Sequence, residues 1–337
     1  MKKHILLLDR LFRPVTMPLD GYFSLVWSLT YQACGTFAAL LPALPVCAPL
    51  DTAVYLTDGE RCGRIETVRL ADKRAELRGR MLECLLYDRL LAEKYVYTGS
   101  LADACLHLVR TRCADLPVTV DPEGAVFPES GTYRGHWVTA GGWLHEVLSE
   151  AGGSYELRYV PGAEKCVFRL TCGTDRSGAG AVFSEDFGNI ASLEIERDRT
   201  KCADRLYVTG ADGTTVSVVR AGVHAPYRDA RIEANDIESA DFEVFADYTD
   251  ALRARALAYL SENGGEIVRA EGCAQNGALP RYGTDYALGD LCTVRTAAYS
   301  GTVRLTAIDM VSENGVRRVY PYFGIRRRTL RDALGER

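Results

Sequence analysis

Residues 286–294 read YALGDLCTV, an apolar run interrupted by a Gly-Asp pair, and residues 302–311 read TVRLTAIDMV, in which apolar and polar residues alternate. Alternation at a period of two is the pattern of a half-buried strand. Within the first run Gly289 is free to take a positive φ or a bulge, and Asp290 can accept hydrogen bonds from nearby backbone N–H groups, so the pair predicts a strand that bends sharply. A chain carrying such runs is expected to fold around sheet.

The rest of the sequence repeats this pattern with two interruptions. From Ile5 to Leu91, runs such as HILLLD, YFSLVWSLTY and DTAVYLT are separated by Gly, Pro and Asp, which predicts strands joined by turns. LRGRMLECLLYDRLL, from Leu77 to Leu91, begins as a strand and continues as a short helical segment. A helix is expected from about Leu101 to Arg112, because Leu101, Ala104, Cys105, Leu108 and Val109 share one face. After the short strand LPVTVD, Thr139 is placed to cap a helix through Trp143, Leu144, Val147 and Leu148 that ends at Gly152-Gly153. YELRYV and CVFRLTC then read as strands, so residues 98–180 form an α/β insert. Strand character returns with SLEIERD, DRLYVTG and TTVSVVR. A helix over about 247–263 places Leu252, Ala256, Tyr259 and Leu260 at helical spacing and stops at Gly264-Gly265. GEIVRAEG, the two runs first described and VRRVYPYFG complete the chain. The fold class expected is α+β, mainly β.

Several function classes are disfavoured by composition. At 337 residues, with 47% apolar and 25% charged side chains, the chain can bury a large core in two or three units. Its net charge of -5 argues against a surface built for nucleic acid. Arg326, Arg327, Arg328 and Arg331 are the one basic cluster and read as a solvated or subunit-contacting tail. Eleven cysteines, an odd number at irregular spacing with no CxxC, fit buried or free thiols better than a disulfide framework or a zinc site. The opening MKKHILLLDRLFRPV resembles a signal peptide only superficially, since Asp9 and Arg10 interrupt its apolar run, and an opening strand is expected. The apolar stretch from Cys34 to Leu50 is broken by Gly35, Pro42, Pro45 and Pro49, so no stable membrane insertion is expected.

No catalytic, cofactor-binding or metal-ligating residue is expected. His4, His107, His136, His145 and His224 form neither HxH nor HExxH, and His145, beside Trp143, reads as a helix-surface residue. GxSxG and GxxxxGK[ST] are both absent, and GTDRSGAG, residues 173–180, lacks the phosphate-loop lysine and reads as a flexible hairpin or loop. Carboxylates are dense at Glu185-Asp186, at Glu194, Glu196 and Asp198, and at Glu233, Asp236, Glu238, Asp241 and Glu243. The last series reads as a solvated face.

Four segments, in order along the chain, resemble the siphophage and prophage tail hub proteins, which include ReqiPepy-type siphovirus tail proteins. The first is Gly63-Arg64-Ile65 followed by Leu77-Arg78-Gly79-Arg80 and Leu85-Leu86-Tyr87-Asp88-Arg89. The second runs from Val182 through Phe183 to Gly188-Asn189-Ile190, where Gly188-Asn189 reads as a turn with Asn in the left-handed region. The third is Leu206-Tyr207-Val208-Thr209-Gly210, with Asp204 where the family often has Asn. The fourth is Tyr286 to Leu291, the Arg304–Ile308 strand and Phe323-Gly324. The resemblance implies a first hub β-barrel over 1–97, the α/β insert over 98–180 and a second hub β-barrel over 181–337.

It further implies a non-enzymatic, homotrimeric ring whose six barrels meet the hexameric tail tube and join it to the distal tip or baseplate. The partners so implied are two further copies of the chain, a distal tail or tail tube protein, the tape-measure protein, and tip or receptor-binding proteins. DNA would be met only in transit through the lumen, which the acidic series would line and keep from sticking. The virion tail is the location implied, after synthesis in the cytoplasm of the bacterial host. Two alternatives stay open, a tail-associated cell-wall hydrolase and a carbohydrate-binding β-sandwich adhesin. The first is disfavoured because the resemblance reaches Gly324 and leaves thirteen residues for a lytic domain.

Overall fold

In the computed structural model, residues 4–324 are described apart from positions 20, 44–49, 51, 129, 179, 201, 236 and 314 and the side chains of 261–263. Pro45, Pro49, Asp236 and the Arg326–Arg331 cluster lie outside the described residues. The elements follow the apolar periodicities closely. In chain order they are β1 (Leu6–Leu8), β2 (Ser24–Thr30), β3 (Thr36–Pro42), β4 (Tyr55–Thr57), β5 (Cys62–Ala71), β6 (Arg74–Met81), α1 (Cys84–Tyr87), β7 (Tyr95–Ser100) and α2 (Leu101–Arg112). There follow β8 (Val118–Val120), β9 (Ser130–Gly135), α3 (Ala140–Glu150), β10 (Gly153–Arg158), β11 (Cys166–Cys172), β12 (Val182–Ser184), β13 (Ile190–Asp198), β14 (Arg205–Gly210), β15 (Thr215–Val219) and β16 (Asp229–Ala234). The last are α4 (Phe245–Asn263), β17 (Ile267–Ala274), β18 (Leu291–Thr296), β19 (Tyr299–Glu313) and β20 (Val316–Phe323). Among the described residues no helix is long and apolar enough to cross a membrane.

The chain divides into two compact units, residues 1–194 with 270–337, and residues 195–269. In the first, one sheet runs in the order β1-β4-β5-β6-β3-β2-β19-β20-β17-β13, with β18 joined to β19 and β12 to β18. The long strand β19 makes this possible. Its first part, Tyr299 to Arg304, pairs antiparallel with β18, and its second part, Ala307 to Glu313, pairs with β2. Strands near the two ends of the sequence therefore share one sheet. Among the described residues no pairing closes this path into a ring, so the structure presents an open sheet where two closed barrels were expected.

Residues 98–180 form the expected mixture of helices and short strands. Ser100 caps α2 by accepting from the Asp103 N–H at 3.1 Å, and Thr139 caps α3 by accepting from the Gly142 N–H at 3.2 Å. Leu101, Ala104, Cys105, Leu108 and Val109 are all buried, as the helical spacing requires. They belong to one apolar cluster that also holds Leu8, Phe12, Tyr55 and Cys62, so this region has no separate core. Ten described cysteines are free thiols, six of them buried. Burial pushes the Cys105 thiol up to about 12, which keeps it unreactive at neutral pH.

In the second unit β14 lies between β15 and β16, antiparallel to the former and parallel to the latter. Leu206 and Val208 of β14 pack under Tyr248, Leu252, Ala256 and Leu260 of α4. Gly210 ends β14 because a Cβ there would stand 2.0 Å from the Tyr248 hydroxyl. Helix orientation is directly testable. Leu252→Ala, on the buried face of α4, should destabilise this unit by about 2–5 kcal/mol. Leu257→Ala, at 56% exposure on the same helix, should change stability by less than about 0.5 kcal/mol. Urea unfolding of the two variants would reverse this order if the helix were turned the other way.

Candidate functional site

The Gly-Asp pair of the opening motif lies in a turn, and the strand begins only at Leu291. The run is therefore not a bent strand along its whole length, as its apolar character suggested. Two local features cause the difference. Gly289 has φ +95°, in the left-handed region. Asp290 is buried and accepts from the backbone N–H groups of Ala287 at 2.8 Å and Thr174 at 2.7 Å, the second from another part of the chain. The anchoring role expected of Asp290 is thus present, and it ties the 173–180 loop to this turn.

Tyr31 completes the interlock. A Cβ on Gly289 would stand 2.3 Å from the Tyr31 ring, and one on Gly173 would stand 1.8 Å from the Gly289 carbonyl oxygen. The Tyr31 hydroxyl donates to the Gly152 carbonyl at 3.0 Å and accepts from the Gly173 N–H at 3.0 Å. The Ser154 hydroxyl donates to the Tyr31 carbonyl oxygen. Arg304 donates to the Gly289 carbonyl at 2.7 Å while its guanidinium lies 5.9 Å from the centre of the Tyr31 ring. Four chain segments far apart in sequence meet at one tyrosine.

The first family-like segment is also structural. A Cβ on Gly63 would stand 2.4 Å from the Phe37 ring, and one on Gly79 would stand 1.8 Å from the Arg64 carbonyl oxygen. Arg64 bridges Glu66 at 2.7 Å and Asp88 at 2.5 Å, and Arg80 bridges the same two carboxylates at 2.7 Å and 3.0 Å. Against the opposing pull of burial, the two arginines hold the Glu66 carboxyl below its ordinary value. Partly exposed pairs add little stability singly, but four groups in a closed ring fix where α1 leaves β6. In the second segment Gly188, with φ +61°, takes the left-handed position expected of Asn189. Asn189 is buried instead, donating to the carbonyls of Val182 at 2.7 Å and Leu279 at 3.1 Å and accepting from the Ser184 N–H at 3.0 Å.

Beside the interlock is an open cavity of about 630 Å³ with Tyr31, Glu83, Tyr155, Glu156, Arg176 and Asp290 on its wall. Most of its charges are paired, Arg176 with Asp290 at 3.7 Å and Arg158 with Glu156 at 3.6 Å. Glu83 differs. One carboxylate oxygen accepts from the Leu157 N–H at 3.4 Å, the other is buried with no hydrogen-bond partner, and burial pushes the carboxyl up to about 7. Sequence patterning gave no signal for Glu83, which stands alone between apolar residues. His145, expected on a helix surface, is buried against Tyr155 with ring centroids 4.2 Å apart, and its Nδ1 lies 2.7 Å from the Tyr87 hydroxyl. Burial pushes its imidazole down to about 4. Among the described residues no group of three or more His, Cys, Asp or Glu is placed to hold a metal. The arrangement is that of a packed joint with a polar lining.

Glu83 and the interlock generate two predictions. A carboxyl raised from 4.5 to about 7 binds its proton more tightly in the folded state, so its favourable contribution is complete below pH 4.5 and is lost as pH rises through about 7. Glu83→Gln should therefore remove up to roughly 3 kcal/mol of this loss, making the variant more stable than the parent above pH 7 and close to it at pH 4.5. His145 acts oppositely, losing stability as pH falls from 6.5 through about 4, so melting curves at several pH values in both chains are needed. Tyr31→Phe, which removes one donor and one acceptor, should cost about 1–3 kcal/mol in chemical unfolding, and Gly289→Ala should cost at least as much.

Residues 6–325 match the family described as Siphovirus ReqiPepy6 Gp37-like protein. No curated protein matches. Among solved structures, the chain is similar to a tail protein from Neisseria meningitidis, with 12% identity, a TM-score of 0.61 and 96% of each chain covered. It is similar to the 43 kDa tail protein of prophage MuSo2 from Shewanella oneidensis, with 12% identity and a TM-score of 0.64 over 95% of this chain and 97% of that one. It is also similar to the prophage tail protein gp18 from Listeria monocytogenes, with 9% identity and a TM-score of 0.58 over 98% and 97%. At these identities the structures speak for the fold, while the family match spans nearly the whole sequence, and the chain belongs to the Siphovirus ReqiPepy6 Gp37-like family of siphovirus tail proteins.

Proposed function

We propose that the chain is a structural hub: three copies form a ring that joins the hexameric tail tube to the distal tip or baseplate and leaves a lumen for the tape-measure protein and for DNA in transit. The observation that carries this reading is the family match over residues 6–325, joined to whole-length fold similarity with tail proteins of comparable size. The packed joint around Tyr31 and Gly289 supports a non-enzymatic role, since its polar groups are spent on holding chain segments together. The three-part division at 97/98 and 180/181, with a hub region on each side of the insert, belongs to the same proposal. So do the partners: two further copies, a tail tube or distal tail protein, the tape-measure protein, and tip or receptor-binding proteins.

The acidic series fits a lumen wall. Glu233, Glu238, Asp241 and Glu243 are exposed, and an anionic surface repels DNA passing close by. The reading predicts a mass of three chains, each 37.1 kDa, in light scattering of the purified protein. A persistent monomer that binds glycans would favour an adhesin, and clearing of peptidoglycan in a zymogram would favour a hydrolase; either result overturns the hub.

A further inference from the structure

The β5–β6 hairpin leaves apolar surface uncovered at the edge of its sheet. Leu25, Ala39, Leu77 and Val68 form one cross-strand row through β2, β3, β6 and β5, and Leu41, Ala75 and Leu70 form the next. In strands β2, β3 and β6 every one of these side chains is buried, whereas on β5 Val68 is 44% and Leu70 is 55% exposed. β4 pairs with β5 only at Cys62 to Arg64, so among the described residues the outer edge of β5 beyond Ile65 has no strand partner. An open, partly apolar strand edge is a template for another chain. Its charge is positive: Arg69, Lys73, Arg74 and Arg78 outnumber Asp72 and Glu76 on residues 69–78. All four cations are exposed; Arg74 lies over the Phe23 ring at 5.2 Å and Arg78 pairs with Glu76, while Arg69 and Lys73 stand at the tip.

A second segment has the complementary surface. From Glu233 to Glu243 the sequence carries five carboxylates and no Lys or Arg. Ile237 and Phe242 turn inward against the Leu206, Tyr248 and Leu252 core, which directs Glu238, Asp241 and Glu243 outward. Next come Val244 and Phe245, 53% and 63% exposed. A 3-10 turn over Ser239–Asp241 is followed by extended backbone at Phe242 and Val244, with φ/ψ of -123°/133° and -120°/128°, and Phe245 opens α4, so the segment presents side chains and not a continuous strand. Two exposed apolar residues beside carboxylates match two exposed apolar residues beside cations.

We propose that the occupant of the β5–β6 edge is a second copy of this chain, whose 238–245 segment lies along it, with Val244 and Phe245 covering Val68 and Leu70 and with Glu238 and Glu243 facing Arg69 and Lys73. The two surfaces are different, so the contact is head-to-tail, and such contacts close into rings when the rotation between copies allows. The inference rests on the ring reading above and names the surfaces that would build it. It assigns Glu238 and Glu243 to the subunit contact and leaves Glu233 and Asp241 of the acidic series for the lumen wall.

Charge reversal tests the pairing in the full-length protein. Arg69→Glu with Lys73→Glu should raise the concentration for half-assembly, measured by light scattering, at least tenfold, and Glu238→Lys with Glu243→Lys should do the same. All four changes in one chain should restore assembly to within about threefold of the parent. Circular dichroism and melting temperature check that each variant folds, because all four side chains are exposed. Variants that assemble like the parent, or a fourfold variant no better than either pair, would overturn the inference while leaving a trimeric parent as a hub. A parent that stays monomeric at every concentration would overturn both.

Discussion

The close approach of Gly289 to the Tyr31 ring is the constraint on which the arrangement of the larger unit depends. A turn that carries no side chain at Gly289 lets an aromatic ring lie directly on the backbone, and a second glycine, Gly173, lets a third segment reach the same point. Once the ring is there, its hydroxyl pairs with the half-buried carbonyl of Gly152 and N–H of Gly173. Asp290 extends the same logic to Thr174 and Ala287. The α/β region, the loop that follows it and the end of the sheet are held by one side chain from β2's exit and one two-residue turn.

Much of this was legible in the sequence, and the reasons are specific. α3 carried a capping hydroxyl at Thr139, and both α2 and α3 an apolar face at helical spacing, so their bounds could be read almost to the residue; the Ser100 cap of α2 emerged only in the structure. β19 was legible from its alternation and β1 from its short apolar run. Long-range terms were not. Local pattern did not reveal that β19 would be long enough to pair with β18 in one half and with β2 in the other, which is why strands from both ends of the sequence share an open sheet. Nor could spacing show that His145 would be covered by Tyr155, or that Glu83 would be buried, since both depend on strand β10 arriving from elsewhere.

Three of the four family-like segments form joints of the backbone, and the third is the core strand β14. Gly63 and Gly79 make room for Phe37 and for a neighbouring backbone, Arg64 and Arg80 share Glu66 and Asp88, and Asn189 closes a loop with three hydrogen bonds. Contacts of this kind fix the path of the backbone, and the solved tail proteins share the fold at 9–12% identity. A structural protein that works by shape needs its backbone held more than it needs any one surface residue. Surface chemistry then selects partners.

The central claim is positional: a threefold ring at the junction of tail tube and tip. Isolated tails imaged by electron microscopy, with the chain carrying a small fused tag, test it most directly. The account predicts three tags at a single level, between the end of the tube and the tip, around an axial channel. Tags distributed along the tube, or found only on peripheral fibres, would contradict it.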